Sequence, residues 1–438
     1  MRIFIDTLGC PKNTVDSEVA AGVMEKEGHQ IVVSPQNAEA ILINTCAFIN
    51  DAKIESIDRI FELASYKEHG AILIVSGCLS QRYGEKLYRE MPEVDIFLGV
   101  NDYHKLPELL KNHSKGNREA YFSSCEKSYT ELDVRKSLGP SYTAYLKIAE
   151  GCNNICAYCV IPSIRGNYRS RRKEDILKEA GQLARSGTKE LVLVAQDVTA
   201  YGMDQNDDYR LPELLEDLCK IEGINWIRLM YCYEDRITDR LIEVMAKQDK
   251  ICKYIDIPIQ HASDKILASM NRRSTKTSII KTVNALRKAI PDIHIRTTLI
   301  TGFPGETTED FNELVEFVKE MKFHRLGVFS YSKEEGTVAA RMKGQVREQT
   351  RVKRREKVMA IQQEISLAYN QDKIGKVLRV IIEEEEEAGC YRGRSCYDAP
   401  EIDNSVLFNS DKPLKPGDLI FVKITDAFDY DLIGVYLD

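Results

Sequence analysis

The stretch Glu150–Gly166, EGCNNICAYCVIPSIRG, decides how the rest of the chain is read. Cys152, Cys156 and Cys159 stand in it at C-x3-C-x2-C spacing, directly after an apolar, strand-like run, Tyr142–Ala149. Thiolates this close suit zinc or an iron–sulfur cluster. A structural zinc site closes with four ligands, usually two C-x2-C pairs or a set with histidines. No fourth Cys or His follows within about fifty residues. A cubane held by three cysteines keeps one iron open to a chelating substrate. The bland alternative is a loop of incidental buried thiols.

At 438 residues the chain is too long for one core, so two to four domains are expected. The opening MRIFIDTLGC lacks the basic start and long apolar run of a signal peptide, and no run of eighteen apolar residues predicts a membrane span. Twelve cysteines without a secretory signal point to reduced thiols in the cytoplasm, serving metal ligation or chemistry before disulfides. A cofactor-bearing cytoplasmic enzyme is expected.

Residues 1–100 repeat one pattern three times. The apolar runs Arg2–Leu8, Ala40–Thr45 and Ala71–Ser76 end at Cys10, Cys46 and Cys78. Helical stretches, Asp16–Glu27 and Ala52–Tyr66, lie between them, which predicts βαβ units and a parallel sheet. Ligands of such sheets gather beyond the carboxyl ends of the strands. Three strands each delivering a cysteine there make a second three-thiolate site. The alternative is three separately buried cysteines, which behave as small hydrophobes.

Residues 101–140 turn polar and end at Gly139-Pro140, which reads as a linker with Cys125 a bystander. From Tyr142 to Tyr331 six apolar strands alternate with helices, which predicts a partial (β/α)6 barrel with its site at the strands' carboxyl ends. That edge carries the cysteine loop, Gln196-Asp197, Gln260-His261 and the turn Thr301–Glu306, TGFPGE. Glycines before a helix permit close backbone approach to a polar group at its N-terminus, or simply make a turn. Arg296 and Thr298 share one strand face. If that face points inward, Arg296 is free to meet a carboxylate; otherwise it is an ordinary ion-paired arginine. His261 reads either as a base or as a cap for the next helix. Cys219, Cys232, Cys252, Cys390 and Cys396 have no ligand spacing and are assigned no role.

Residues 341–370 read as a long amphipathic helix with basic clustering at Arg351–Lys357. This is either an RNA-touching patch or, as we favour, a solvated face laid across the barrel. Beyond Gln371, strands Val377–Ile382, Leu419–Ile424 and Leu432–Tyr436 predict a small antiparallel barrel. Residues 371–438 hold eight Lys and Arg against fifteen Asp and Glu, the whole of the chain's −7 excess. An acidic barrel is a poor phosphate clamp and suits a basic protein partner, although Glu383–Glu387 also reads as a plain solubilising run.

With Tyr158 as the aromatic, the motif C-x3-C-x-aromatic-C resembles the hallmark of radical S-adenosylmethionine (SAM) enzymes. That resemblance implies a 4Fe–4S cluster whose open iron chelates SAM and whose electron cleaves it to a 5′-deoxyadenosyl radical. It also raises Gln196, Asp197, Arg296, Thr298, Gly302, Gly305 and Glu306 as SAM contacts, with Asp197 toward the ribose. TLGCPKNTVDSE, INTCAFINDAKIES and VSGCLSQRY resemble the N-terminal domain of methylthiotransferases, implying an auxiliary 4Fe–4S cluster on Cys10, Cys46 and Cys78. The form G-C-P-K-N is similar to the ribosomal-protein branch; the tRNA branch usually shows G-C-Q-M-N. The acidic tail resembles a TRAM domain in position and size. The implied boundaries are 1–115 for the auxiliary-cluster domain, 116–139 linker, 140–370 radical SAM core and 371–438 TRAM-like domain. The implied reaction methylthiolates the β-carbon of an aspartate in a basic small-subunit ribosomal protein, free or on the ribosomal subunit, and needs a reducing electron donor. The rival readings are a tRNA methylthiotransferase acting on a modified adenosine, and a non-catalytic iron–sulfur electron carrier or RNA-binding scaffold.

Overall fold

Ala40–Thr45, AILINT, is buried at every position. A strand hidden on both faces belongs inside a parallel sheet covered by helices. The computed structural model, which describes residues 1–114, 116–124, 135–206 and 209–437, places it there. Strands β1 (Arg2–Thr7), β2 (Gln30–Val32), β3 (Ala40–Thr45), β4 (Ile72–Gly77), β5 (Ile96–Leu98) and β6 (Glu119–Tyr121) form a parallel sheet ordered β2-β1-β3-β4-β5-β6. β6 corrects the linker expected over 116–139, because it pairs with β5 and extends the sheet. Three residues among polar neighbours are too few to show an apolar pattern. Residues 125–134 of that stretch, Cys125 included, lie outside the described residues.

Helix Pro11–Lys26 starts five residues earlier than its apolar spacing suggests. Pro11 occupies the first turn, where its missing N–H costs nothing. The helix is buried almost all round, so Lys12, Asn13, Asp16 and Glu18 are hidden as fully as Val15 and Ala20.

The second sheet contains β7 (Thr143–Lys147), β10 (Glu190–Val194), β11 (Trp226–Leu229), β12 (Ile251–Asp256), β13 (His294–Thr301) and β14 (Arg325–Ser330). A two-stranded ribbon, β8 (Ala149–Glu150) with β9 (Arg169–Ser170), follows β7. The parallel order β14-β13-β12-β11-β10-β7 leaves β14 and β7 as edges, giving the open six-unit barrel expected. Its helices are conventional. Thr308–Met321 opens on a Thr307/Asp310 capping box and buries Phe311, Leu314, Phe317 and Val318.

The last module is a closed five-strand barrel of β15 (Val377–Glu387), β16 (Cys390–Ser395), β17 (Val406–Asn409), β18 (Leu419–Ala427) and β19 (Leu432–Leu437). Its pairings are antiparallel except β17 with β19, which run parallel. β16 and β17 escape the sequence because polar residues break their alternation. Among the described residues, no helix is long and apolar enough to cross a membrane.

Helix Glu348–Gln371 corrects a second expectation. Its inward stripe is Val358, Gln362, Ser366 and Asn370, so it is not amphipathic in the ordinary sense. These polar groups bond backbone carbonyls: Gln362 Nε2 donates to Phe323 at 2.9 Å, Ser366 Oγ to Asp429 at 2.6 Å and Asn370 Nδ2 to Phe428 at 2.8 Å. The helix thereby joins the core to the closed barrel.

A buried ion group joins the same two modules. Glu190 of β10 accepts from Arg394 Nη2 of β16 at 2.5 Å and from Arg228 Nε of β11 at 2.9 Å. Burial alone raises its pKa, but the two guanidinium groups outweigh burial and hold the carboxyl at about 2, against an ordinary 4.5. A folded value below the unfolded one contributes stability that is complete above about pH 4.5 and lost as pH falls toward 2. The loss expected from this group is about 3 kcal/mol. Urea midpoints measured from pH 6 to 2 are expected to fall less steeply in Glu190→Gln than in the wild type; parallel profiles refute the assignment.

Candidate functional site

Strand ends and tight turns assemble the first cysteine group. Cys10 caps helix Pro11–Lys26 after β1, Cys46 follows β3, and Cys78 opens helix Cys78–Glu90 after β4. Gly9 has φ +94°, and a Cβ there would lie 2.6 Å from Cys46 Cβ, so only glycine lets the two loops close together. Asn13 clips the loops further, donating to Leu8 O at 2.8 Å and Thr45 O at 3.0 Å, while Asn44 Nδ2 donates to Asn13 O at 2.9 Å. Burial pushes the Cys46 thiol up to about 12, with the neighbouring sulfurs of Cys10 and Cys78 adding to the effect. Burial also opposes ionisation of Cys10, but Lys12 and Arg165 outweigh it and lower that thiol.

The second group lies on the loop between β8 and helix Ile161–Arg165. Gly151, at φ +76°, passes so close to Asn167 that a Cβ would sit 2.0 Å from its carbonyl oxygen. Backbone N–H groups of Asn154 and Ile161 donate to the sulfurs of Cys152 and Cys159, each at 3.4 Å, and Cys156 Sγ lies 3.5 Å from Tyr233 Oη. Burial pushes Cys152 to about 11 and Cys159 to about 12. Asn271 Nδ2 donates to Ile155 O at 2.8 Å and Ala157 N to Met270 O at 2.9 Å, pinning the loop. A pocket of about 150 Å³ opens beside it, lined by Asn153, Asn154, Cys156, Tyr233 and Arg272 among others.

The tertiary fold sets the two groups against one another. Val160 and Ile164, from the second loop, pack in one cluster with Ala47, Cys78 and Leu79 of the first sheet. Arg165 donates to Cys78 Sγ at 3.3 Å, Asn13 Oδ1 at 2.7 Å and Asp16 Oδ2 at 2.7 Å. Asp16 also meets Lys147, which bonds Glu150 at 2.9 Å. Two carboxylates and two cations thus balance in a wholly buried group. Burial would raise Glu150, but Lys147 and Arg165 hold it well below the usual range.

Other expected contacts divide into two sets. Gln196 Nε2 donates to Glu150 Oε1 at 2.8 Å, and Asp197 accepts from Asn154 Nδ2 at 3.0 Å, Thr199 Oγ1 at 2.7 Å and Arg236. Both therefore sit beside the cysteine loop. Tyr158 is buried edge-on against Phe303, bringing that loop to the TGFPGE turn. Glu306 is turned to the turn itself, accepting from Gly302 N at 2.6 Å, Phe303 N at 3.2 Å and Arg354 Nη1 at 2.7 Å. A Cβ on Gly302 would strike Arg351, whereas Gly305 has open space and donates to Gly344 O at 2.9 Å. Arg351 and Arg354, which the sequence placed on a solvated basic face, are thereby committed to this turn.

Arg296 is ion-paired with Asp256 at 3.0 Å and with Asp403 of the closed barrel at 3.4 Å, and it donates to Thr298 Oγ1 at 3.3 Å. The ion-paired alternative is the arrangement found. His261 is buried and accepts from Ser263 N at 3.0 Å, holding the turn before helix Asp264–Ser269. Sequence reasoning passed over Lys12, Tyr231, Arg165 and Arg236 as site residues. Lys12 and Arg165 stood inside quoted stretches, but nothing local marks where a long cationic side chain ends.

The thiol groups fit clusters better than single ions. Among the described residues no three His, Cys, Asp or Glu side chains converge closely enough to hold one metal ion. Zinc demands that convergence, whereas a cluster spreads its thiolates over its corners. The N–H donors aimed at sulfur suit anionic ligands.

Family models match in three blocks: the radical SAM superfamily over residues 146–318, uncharacterized protein family UPF0004 over 2–99 and the TRAM domain over 374–437. The ribosomal protein uS12 methylthiotransferase RimO of Thermoanaerobacter sp. (strain X514) is 48% identical over 99% of this chain and 100% of its own. The enzyme of the same name from Desulforamulus reducens is 49% identical over 98% of each chain. This chain belongs to the RimO family. As a RimO family member it is a radical SAM transferase, and its cofactors are SAM and 4Fe–4S clusters. Among solved structures, the cobalamin-dependent SAM radical enzyme OxsB matches with a TM-score of 0.54 at 12% identity, over 83% of this chain and 56% of that one. The radical SAM methyltransferase TsrM from Kitasatospora setae matches at 0.53 and 12%, over 75% of this chain and 72% of that one. At such identities these two show the fold alone.

Proposed function

We propose that this RimO family member methylthiolates ribosomal protein uS12 in the cytoplasm, at the β-carbon of an aspartate, on the free protein or on the assembling subunit. The observation that carries the reading is the meeting of two buried cysteine trios across Lys12 and Arg165. Cys152, Cys156 and Cys159 would hold the SAM-cleaving cluster, and Cys10, Cys46 and Cys78 the auxiliary one. When bound, these clusters supply the electron that cleaves SAM and the site that carries the sulfur.

The chain's own residues orient and seal the site. Asn154, Asp197 and Arg236 fix the floor beside Cys152, where Gln196 and Asp197 would face SAM. Tyr158 and the backbone of Gly302–Gly305 would line its far side, with Glu306 holding the turn. Arg296 and Thr298 would act from behind, through Asp256. Hydrogen-atom abstraction needs no general base, which suits a site whose one buried histidine, His261, holds a turn. A reducing donor of the cell would supply the electrons. The acidic excess of residues 371–438 favours a basic protein over tRNA.

The test is anaerobic. Reconstituted enzyme, dithionite and methyl-labelled SAM are mixed separately with small ribosomal subunits and with bulk tRNA, and label is followed by mass spectrometry. Label on one aspartate of uS12 is expected; label on tRNA overturns the substrate assignment and keeps the chemistry.

A further inference from the structure

Lys12 is nine-tenths buried, 8% exposed, in the first turn of helix Pro11–Lys26. Among the described residues no carboxylate pairs with it. Its ammonium lies over the Tyr231 ring, 3.7 Å from the centroid. Tyr231 is fixed there at φ +56°, its N–H donating to Asp256 Oδ2 at 3.0 Å. The Lys12 charge acts on Cys10 in one trio and on Cys159 in the other. A buried cation is costly unless an anion faces it, and a ring face offsets only part of that cost. The neighbouring cations are differently placed: Arg165 and Lys147 share Asp16 and Glu150. Lys12 is thus a desolvated positive charge left without a carboxylate at the junction of the two trios.

We propose that Lys12 is a positioning residue for the small sulfur anion, hydrosulfide or methanethiolate, that this methylthiotransferase transfers. The inference rests on the two-cluster reading above. The product carries an S–CH3 group, so a sulfur atom must reach the acceptor as an anion or as its methylated form. A lysine held by a ring face offers such a species a charge without a competing carboxylate. Arginine keeps that charge; methionine keeps the length and apolar stem and loses it.

The test titrates sodium methanethiolate into reduced holoenzyme, following the electron paramagnetic resonance spectrum, and measures methylthiolation of uS12 over the same series. Iron is counted in every sample. Lys12→Met is expected to raise the apparent Kd and the KM for methanethiolate about tenfold or more, with kcat recovering at saturating thiolate. Lys12→Arg is expected to stay within about threefold of wild type. An unchanged thiolate dependence in Lys12→Met, or loss of iron from it, makes Lys12 a support of the trios themselves and overturns the proposal. Failure of the two-cluster reading shows separately, as wild-type enzyme that takes up iron for one cluster only.

Discussion

Replacing Cys10, Cys46 or Cys78 with alanine is expected to stop methylthiolation while 5′-deoxyadenosine production from SAM continues. The reason lies in how the trios are built. Each belongs to its own sheet edge, and the backbone donors to Cys152 and Cys159 come from Asn154 and Ile161 on their own loop. Removing one sulfur from the first trio leaves those donors in place. Iron content is expected to fall from two clusters to about one, and product to fall below a hundredth of wild type. Anaerobic iron analysis, 5′-deoxyadenosine quantification and mass spectrometry of uS12 read the three outcomes together. Methylthiolation retained in any of the three variants refutes the assignment of that cysteine.

Arg165→Met is expected to be the most destabilising single change at the site. Arg165 is 2% exposed and bonds Asp16, Asn13 and Cys78, with Glu150 at 3.1 Å. Methionine fills most of its volume, so little of the effect comes from a cavity. What remains is a pair of buried carboxylates sharing Lys147 alone. Removing one partner of a buried ion group costs about 3–5 kcal/mol, because the abandoned charge has no solvent. Arg165→Lys restores the charge without the fork that reaches Asp16 and Asn13 together, and is expected to recover less than half of the loss. Urea unfolding of all three forms measures this. An Arg165→Met protein as stable as wild type refutes the claim that the group joins the two modules. Because Arg165 also meets Cys78, iron at the first trio is expected to fall with stability.

The TRAM-like barrel is coupled to the core by ion pairs that reach toward the same site. Asp403 pairs with Arg296 and accepts from Tyr254 Oη at 2.7 Å, and Asp398 pairs with Arg325 at 2.6 Å. The module read as the substrate's docking surface is therefore bonded to the strand face on which Arg296 stands.

Local patterns determined much of this protein. Apolar runs ended by Gly and Cys mark β1, β3 and β4, because a strand buried on both faces has no room for polar residues. The six alternating units of the core and the acidic excess of the tail are equally visible, one as periodicity and the other as composition. Three cysteines within eight residues announce a ligand set wherever the chain goes. Tertiary structure alone decided the partners of long charged side chains. Arg296 and Thr298 share a face in any strand, but whether Arg296 meets a ligand or Asp256 and Asp403 depends on a barrel more than a hundred residues away. Glu306 at the end of a glycine turn reads as a ligand contact until Arg354 and the amides of Gly302 and Phe303 are seen to occupy it. Lys12 shows the limit most plainly. Its neighbours in the chain are Pro11 and Asn13, yet its charge is defined by Tyr231 and Cys159, which only the packing of two sheets brings within reach.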